Sequence, residues 1–415
     1  MLHTKKLIFL LSLMFTAGGL MAQETLTLDS VIGKIKSNNP GLKMYRETIK
    51  SKDALVEGAS AWMAPMVGVG TFMTPYNNFS RPGGQQDGSL MLVAEQKIPN
   101  PAKLKANKAF LAQQSAVTEQ AYADNFNDLR ALARSTYFEI STEERGLNFL
   151  RKNLTTLQNL KKLAEIRYTY NQAGLSQIYS MEAKIYETQN KITSADAKIA
   201  IGKIKLNALM NRPKDTDFLI DTVEYGFAKS VIDNVLSLAE NRSSVKMIDA
   251  QTKSLGLENR LIASEGKPEF SIQFNHMQTY NSNKTNLFSL MAGITIPIAP
   301  WAAKSYQAKL KANNFDASAM AYQKENMINN LVGMIKTQET QLTQIQKELK
   351  VYDDKILPSM TKSYETLLLS YQENKATILD VLNSWKELND SQLEYIDLLN
   401  KYYQNFAEYG KNVEK

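Results

Sequence analysis

Alternation of apolar and polar positions is sharpest between Pro268 and Tyr280. Phe270, Ile272 and Phe274 fall on one face; Ser271, Gln273 and Asn275 fall on the other. The run 286–297 repeats the pattern, with Phe288, Leu290, Ala292, Ile294 and Ile296 opposite Ser289, Gly293 and Thr295. A period of two predicts strands. Asn281-Ser282-Asn283-Lys284-Thr285 predicts the turn between them. A second pair of strands is read at 65–75 and 89–98, joined by a Gly/Asn-rich turn at 76–88.

Elsewhere the period is helical. Residues 29–62 read as helix, interrupted near Asn39-Pro40-Gly41. A very long helical run follows Pro101 to a break at Asn171-Gln172-Ala173-Gly174, and a return helix covers 176–211. If continuous, the run 101–170 is about 105 Å long at about 1.5 Å per residue. A globular domain has no use for that length, whereas a coiled-coil assembly does. The same series recurs as helix 230–264, a long helix from 302 to 370, a break at 371–375 and a return helix 376–409. In that last helix Ile378, Leu382, Trp385, Leu388, Gln392, Tyr395, Leu399, Tyr402 and Phe406 are spaced three or four apart, a coiled-coil-like seam with Gln392 as its polar break. These aromatic residues read as core.

The recurrence is a duplication. Lys103-Leu104-Lys105-Ala106-Asn107 returns as Lys309-Leu310-Lys311-Ala312-Asn313. Pro65 matches Pro268, and Asn38, Met44 and Val69 face Asn241, Met247 and Ile272. Ile98-Pro99 matches Ile296-Pro297, and the break at Gly174 faces that at Lys375. Matches in one order at nearly one spacing define two repeats, 23–211 and 230–415, joined by a linker at 212–229. The return helix 176–211 and the incoming helix 230–264 together hold about as many residues as one long helix. Stacked end to end, they could line it.

The strand pattern alone fits two environments. One is a soluble hairpin packed on a core. The other is a membrane hairpin, for which about 9–11 residues alternating apolar-out and polar-in suffice. Four strands per chain are too few to close a barrel, and lipid tolerates no open edge. The membrane reading therefore requires several chains, three of them giving twelve strands.

The remaining chemistry is sparse. Lys5 and Lys6 precede an apolar run from Leu7 to Leu20, which reads as a secretory signal peptide over 1–22 with cleavage after Ala22. Beyond it no apolar run is long enough for a helical span. There is no cysteine, and the histidines are His3 and His276. Disulfides, thiolate metal sites and cysteine nucleophiles are thereby excluded, and histidine catalysis has little material. No phosphate-binding loop or metal-ligand cluster is present, so no cofactor and no enzyme activity are expected. The net charge of +7 comes from lysines dispersed among acids and amides, a solvated helix surface rather than a nucleic-acid patch. Of the 17 methionines, Met63 and Met66 lie nearest to a cluster, and packing is the role expected of them.

Two repeats of helix, hairpin, long helix, tight break and return helix resemble the TolC-like outer-membrane efflux protein family over the whole mature chain. Tyr170-Asn171-Gln172-Ala173-Gly174-Leu175-Ser176 and Thr377-Ile378-Leu379-Asp380-Val381-Leu382 look like the family's tip motifs. The two Ile-Pro pairs look like its strand-to-helix transitions. The resemblance implies a mainly α chain whose long antiparallel helical hairpins form a trimeric α-barrel tunnel. Four strands per chain would contribute to a shared twelve-stranded transmembrane β-barrel. It implies a homotrimer in outer-membrane lipid, its helices in the periplasm, docked on a periplasmic adaptor and an inner-membrane transporter. The adaptor-contact turns would be Ala173, Gly174 and Leu175, and Lys375, Ala376 and Thr377. Asp380 matches an acid lining the periplasmic aperture. Asn383 stands where the family often has a second acid, and Ser180, after Tyr179, stands at the corresponding place in the first repeat. Asp380 also reads as an ordinary surface acid near a helix start. Gly174 is expected to permit a bend that a Cβ would hinder, and Lys375 in its place implies a different second turn. Against the conduit stands a second function class, a secreted helical coiled-coil protein without a pore.

Overall fold

The computed structural model describes residues 24–74, 76, 88–170, 174–221, 235–280, 284–297 and 299–414. The signal segment 1–22, most of the 76–88 turn, residues 171–173, the second half of the linker and Asn281–Asn283 lie outside the described residues. In chain order the elements are β1 (Thr25–Leu26), α1 (Leu28–Asn38), α2 (Pro40–Gly58), β2 (Met66–Phe72), β3 (Ser89–Ile98), α3 (Pro101–Tyr168) and α4 (Leu175–Leu209). Then come β4 (Leu219–Ile220), α5 (Val235–Glu240), α6 (Ser243–Ser264), β5 (Glu269–Thr279), β6 (Leu287–Thr295), α7 (Pro300–Val351), α8 (Leu357–Gln372) and α9 (Ile378–Asn412). The chain divides into two compact units. The helical unit holds residues up to Lys43, Asn125–Val235 and Leu331–Lys415; the sheet unit holds Met44–Asp124 and Leu236–Asn330.

In the sheet unit the four strands run in the order β2-β3-β5-β6, all antiparallel. The two hairpins are thus joined through β3 and β5. Register aligns Leu92 with Val69 and His276, and His276 with Phe288. One face therefore carries Val67, Val69, Leu90, Leu92, Phe270, Ile272, Phe274, Phe288, Leu290 and Ile294, every one exposed. The other face carries Ser271, Gln273, Asn275 and Ser289, tied by bonds from Gln273 to Asn275 and from Asn275 to Ser289, both 2.9 Å. The edges, β2 and β6, pair with no further strand among the described residues. Both strands that lead into long helices, β3 and β6, end at the same end of the sheet. Asn100 caps α3: its Oδ1 accepts from the amide of Ala102 at 2.9 Å, and Pro101 takes the first helical position. Gln113 and Gln114 of α3 donate to Ala250 and Ser254 of α6.

In the helical unit the 125–168 stretch of α3 packs against α4 and α9. Gly202 brings α4 close to α3, for a Cβ there would meet Ile140 Cγ1 at 2.6 Å. The α9 seam is buried at Ile378, Leu382, Trp385, Leu388, Leu399 and Tyr402. Its polar break is paired: Asn153 of α3 donates to Asn389 and to Gln392, each at 2.9 Å. A buried polar side chain is tolerated there because its hydrogen bonds are made. Asn39 explains the interruption between α1 and α2, since its Oδ1 accepts from the amides of Gly41 and Leu42 as an N-cap before Pro40.

Several expectations are corrected. The run 302–370 is not one helix, because a π-helical turn at Tyr352–Ile356 separates α7 from α8. The helix expected at 230–264 breaks at Asn241-Arg242 into α5 and α6. Within the linker, β4 pairs in parallel with β1, a contact that the sequence reading did not include. Tyr137 of α3 fastens that pair, its hydroxyl donating to the carbonyls of Leu26 at 3.0 Å and Asp221 at 2.8 Å. Of the core or lipid-facing packing expected of Met63 and Met66, their exposure in the single chain excludes the core alternative and leaves the lipid-facing one open.

Candidate functional site

The two helical breaks meet over one core. Leu157, Leu160 and Ala164 of α3, Ile178, Met181 and Ile185 of α4, Tyr371 of α8, and Ile378, Val381, Leu382 and Trp385 of α9 are buried together. The tips are further joined by Arg167. Its guanidinium lies 4.0 Å from the Tyr371 ring centroid, and its Nη2 donates to the Gln372 carbonyl at 3.2 Å. Burial pushes the Tyr371 phenol above its ordinary pKa, with Arg167 pulling the other way.

The second tip is closed by backbone geometry. Asn374 adopts a left-handed φ of 62°. The amide of Lys375 donates to Ser370 O at 2.8 Å and that of Asn374 to Tyr371 O at 3.1 Å. This is a Schellman ending, with Asn in the place usually held by Gly. Lys375 is exposed and pairs with Glu373 at 2.7 Å; Ala376 packs on the shared core. Thr377 then caps α9. Its Oγ1 accepts from the amide of Asp380 at 3.2 Å, and Asp380 Oδ2 accepts from the Thr377 amide at 2.9 Å and hydroxyl at 2.6 Å. That is a full capping box. The hydroxyl first, then the amide, hold the Asp380 carboxyl below its ordinary pKa.

The first tip uses half of the same device. Gly174 is the N-cap of α4, and its amide donates to Gln177 Oε1 at 3.1 Å. Its φ of −91° is open to any residue, and an added Cβ would make only ordinary contacts at 3.8 Å. The expectation that Gly174 supplies a special bend is therefore wrong; the left-handed residue is Asn374. The helix starts also revise the pairing of the tips. Gly174 corresponds to Thr377, not Lys375, and Gln177 to Asp380, an offset that keeps Ser180 opposite Asn383. Ala173 lies outside the described residues.

Tyr179, Ser180, Leu175, Asp380 and Asn383 are all exposed. A groove of about 240 Å³ runs between the two helix starts, lined by Ser176, Gln177, Ser180, Met181, Ile378, Leu379 and Leu382. Sequence reasoning missed Arg167, Tyr371, Asn374 and Gln177. Asn374 follows a helical run and Gln177 stands three residues after an N-cap, and both signals were present in the sequence. The Arg167–Tyr371 contact joins residues about 200 apart and leaves no local signal.

No protein-family model and no curated protein sequence matches the chain. Solved structures do. The outer membrane protein VceC from Vibrio cholerae superposes with a TM-score of 0.74 at 13% identity, over 93% of this chain and 95% of that one. CusC, described in relation to transmembrane channel formation, gives 0.74 at 15%, over 93% and 91%. The CmeC outer membrane channel of Campylobacter jejuni gives 0.73 at 12%, over 93% and 85%. The chain has the outer-membrane channel fold. At such identities the likeness concerns the backbone, and the tip side chains are this chain's own. Within the channel fold, one repeat ends its tip on a complete capping box with an acid, the other on an amide without a capping side chain.

Proposed function

We propose that the chain is the outer-membrane channel of an efflux or export system. Three copies would share a twelve-stranded barrel, and their long helices would continue it as a tunnel into the periplasm. The channel is a passive conduit, driven by an inner-membrane transporter that it reaches through a periplasmic adaptor. The adaptor would meet the tip turns around Gly174 and Leu175 and around Lys375 to Thr377. Asp380, three times around an axis, would form an acidic aperture that favours cations. Asn383 and Ser180 make that aperture less acidic than two acids per tip would.

One observation carries this reading: one face of the four-stranded sheet carries ten exposed large apolar side chains, broken by Thr71, Gln96, His276 and Gln278, and both sheet edges are unpaired among the described residues. In water such a face and such edges invite aggregation. Lipid takes the face, and a neighbouring copy's edge takes each strand. No described helix is long and apolar enough to cross a membrane.

The test is fractionation of the full-length product. Detergent-dependent extraction with the outer membrane, and a trimer on unheated gels that heating dissociates, are expected. A protein recovered in soluble form without detergent would instead identify a secreted coiled-coil protein.

A further inference from the structure

The duplicated Lys-Leu-Lys-Ala-Asn segment marks the repeats, yet neither the tips nor the barrel uses it. It lies just past the strand ends in both copies, on α3 and on α7, within the sheet unit. The two copies divide their lysines alike. The first lysine of each is paired, Lys103 with Glu269 at 2.6 Å and Lys309 with Glu265 at 3.4 Å. The second of each, Lys105 and Lys311, is exposed and forms no ion pair among the described residues. Lys108 and Lys304 share that condition. No acid occurs from 101 through 118, nor from 300 through 315. The helix dipole gives no reason for this pattern, because it disfavours cations in first turns.

The surroundings point to a membrane surface. The apolar sheet face runs down to Ile98, Phe270 and Ile294 at the end from which α3 and α7 leave. Trp301, 83% exposed, lies on one face of α7 with Lys304 and Lys311, and Trp62, 56% exposed, precedes β2 at the same end of the sheet. Exposed tryptophan beside lysine, bordering an apolar band, is the composition of a membrane–water interface. Lys105 and Lys304 stand about 6 Å along their helices, Lys108 about 10 Å and Lys311 about 16 Å, at about 1.5 Å per residue. The headgroup zone is about 5–7 Å deep on each side of the hydrocarbon; a lysine side chain bridges the difference for Lys108 and leaves Lys311 out of reach.

We propose that Lys105, Lys108 and Lys304 form a collar that binds the phosphate headgroups of anionic phospholipid in the periplasmic leaflet. The collar rests on the membrane-spanning reading of the sheet. Charge complementarity and continuity with the apolar face select lipid over a second copy of the chain, whose matching helices carry the same lysines.

The full chain is reconstituted in phosphatidylcholine vesicles, and its tryptophan fluorescence is titrated with brominated phosphatidylglycerol or brominated phosphatidylcholine. Trp385 is buried under the tips, so Trp62 and Trp301 report. Wild type is expected to prefer the anionic lipid by about threefold or more at low salt, and the preference should shrink as salt rises. The variant Lys105→Gln, Lys108→Gln, Lys304→Gln is expected to show a ratio near one. A control of equal charge change at Lys152, Lys162 and Lys191 is expected to keep the preference. Equal quenching by both lipids in wild type overturns the collar and leaves the spanning sheet standing. Quenching by neither overturns the spanning reading and the collar with it. A collar variant that alters trimer migration while keeping its lipid preference assigns the lysines to a chain–chain interface instead.

Discussion

Asp380 accepts from both the amide and the hydroxyl of Thr377, and both bonds lower its pKa from the ordinary 3.8. Because the folded value lies below the unfolded one, the stabilisation is complete at neutral pH. It is lost as pH falls through the folded value. Hydrogen-exchange protection factors over residues 374–384, corrected for the intrinsic pH dependence of exchange, are therefore expected to hold from neutral pH down to the ordinary carboxylate range and to fall only in stronger acid. A fall already at mild acidity would mean the cap is not formed. The same carboxylate is the proposed aperture charge, and two variants separate its roles. Asp380→Asn removes the charge, whereas Thr377→Ala weakens the cap and keeps it. In planar-bilayer conductance Asp380→Asn should reduce cation selectivity, and Thr377→Ala should leave it unchanged. Unchanged selectivity in Asp380→Asn would sink the acidic ring. Thr377 with Asp380, and Gly174 with Gln177, are three residues apart at helix starts, a local cap signature that the alignment of the tips on Gly174 and Lys375 passed over. Glycine is the commoner left-handed residue, and here Asn374 takes that conformation.

Between helices, spacing carried most of the information. The seam of α9 and the alternation of β5 and β6 were legible because each buries or exposes one face over many residues. The π-helical turn at Tyr352–Ile356 was not, because it shifts the period by one residue inside a run of polar side chains. The β1–β4 pair was not, because strands of two residues have no period and their pairing rests on Tyr137 and on residues almost 200 apart. The close approach of α4 to α3 was equally hidden, for a glycine inside a helical pattern reads locally as a weakness. Gly202→Val would drive a branched side chain into Ile140, which is 1% exposed. Overpacking of that kind costs about 1–3 kcal/mol, so a lower melting temperature is expected. An unchanged melting curve would mean that the two helices yield at no cost.

At the scale of the whole molecule the sheet face poses the sharpest test. Leu290 is 68% exposed in the single chain, so in water a lysine there would be harmless. In lipid it would cost about 2–4 kcal/mol near the bilayer centre. Leu290→Lys is expected to lower the yield of membrane-extracted trimer, and Met291→Lys on the opposite face to leave it nearly unchanged. Equal yields would count against lipid on the apolar face. The two repeats, visible in the sequence, are not the two compact units, since each repeat contributes to both. That interleaving sets an order in time. A chain delivered across the inner membrane from its N-terminus has all of its sheet unit once residue 330 has emerged. Its helical unit still waits for 331–415, which bring α8 and α9 and half of the core beneath the tips. On the outer-membrane reading proposed above, every strand of the sheet unit is then present in an aqueous compartment before the last helices arrive. A factor that holds apolar strands apart is expected to bind the chain during that interval, and the order of the segments sets its length.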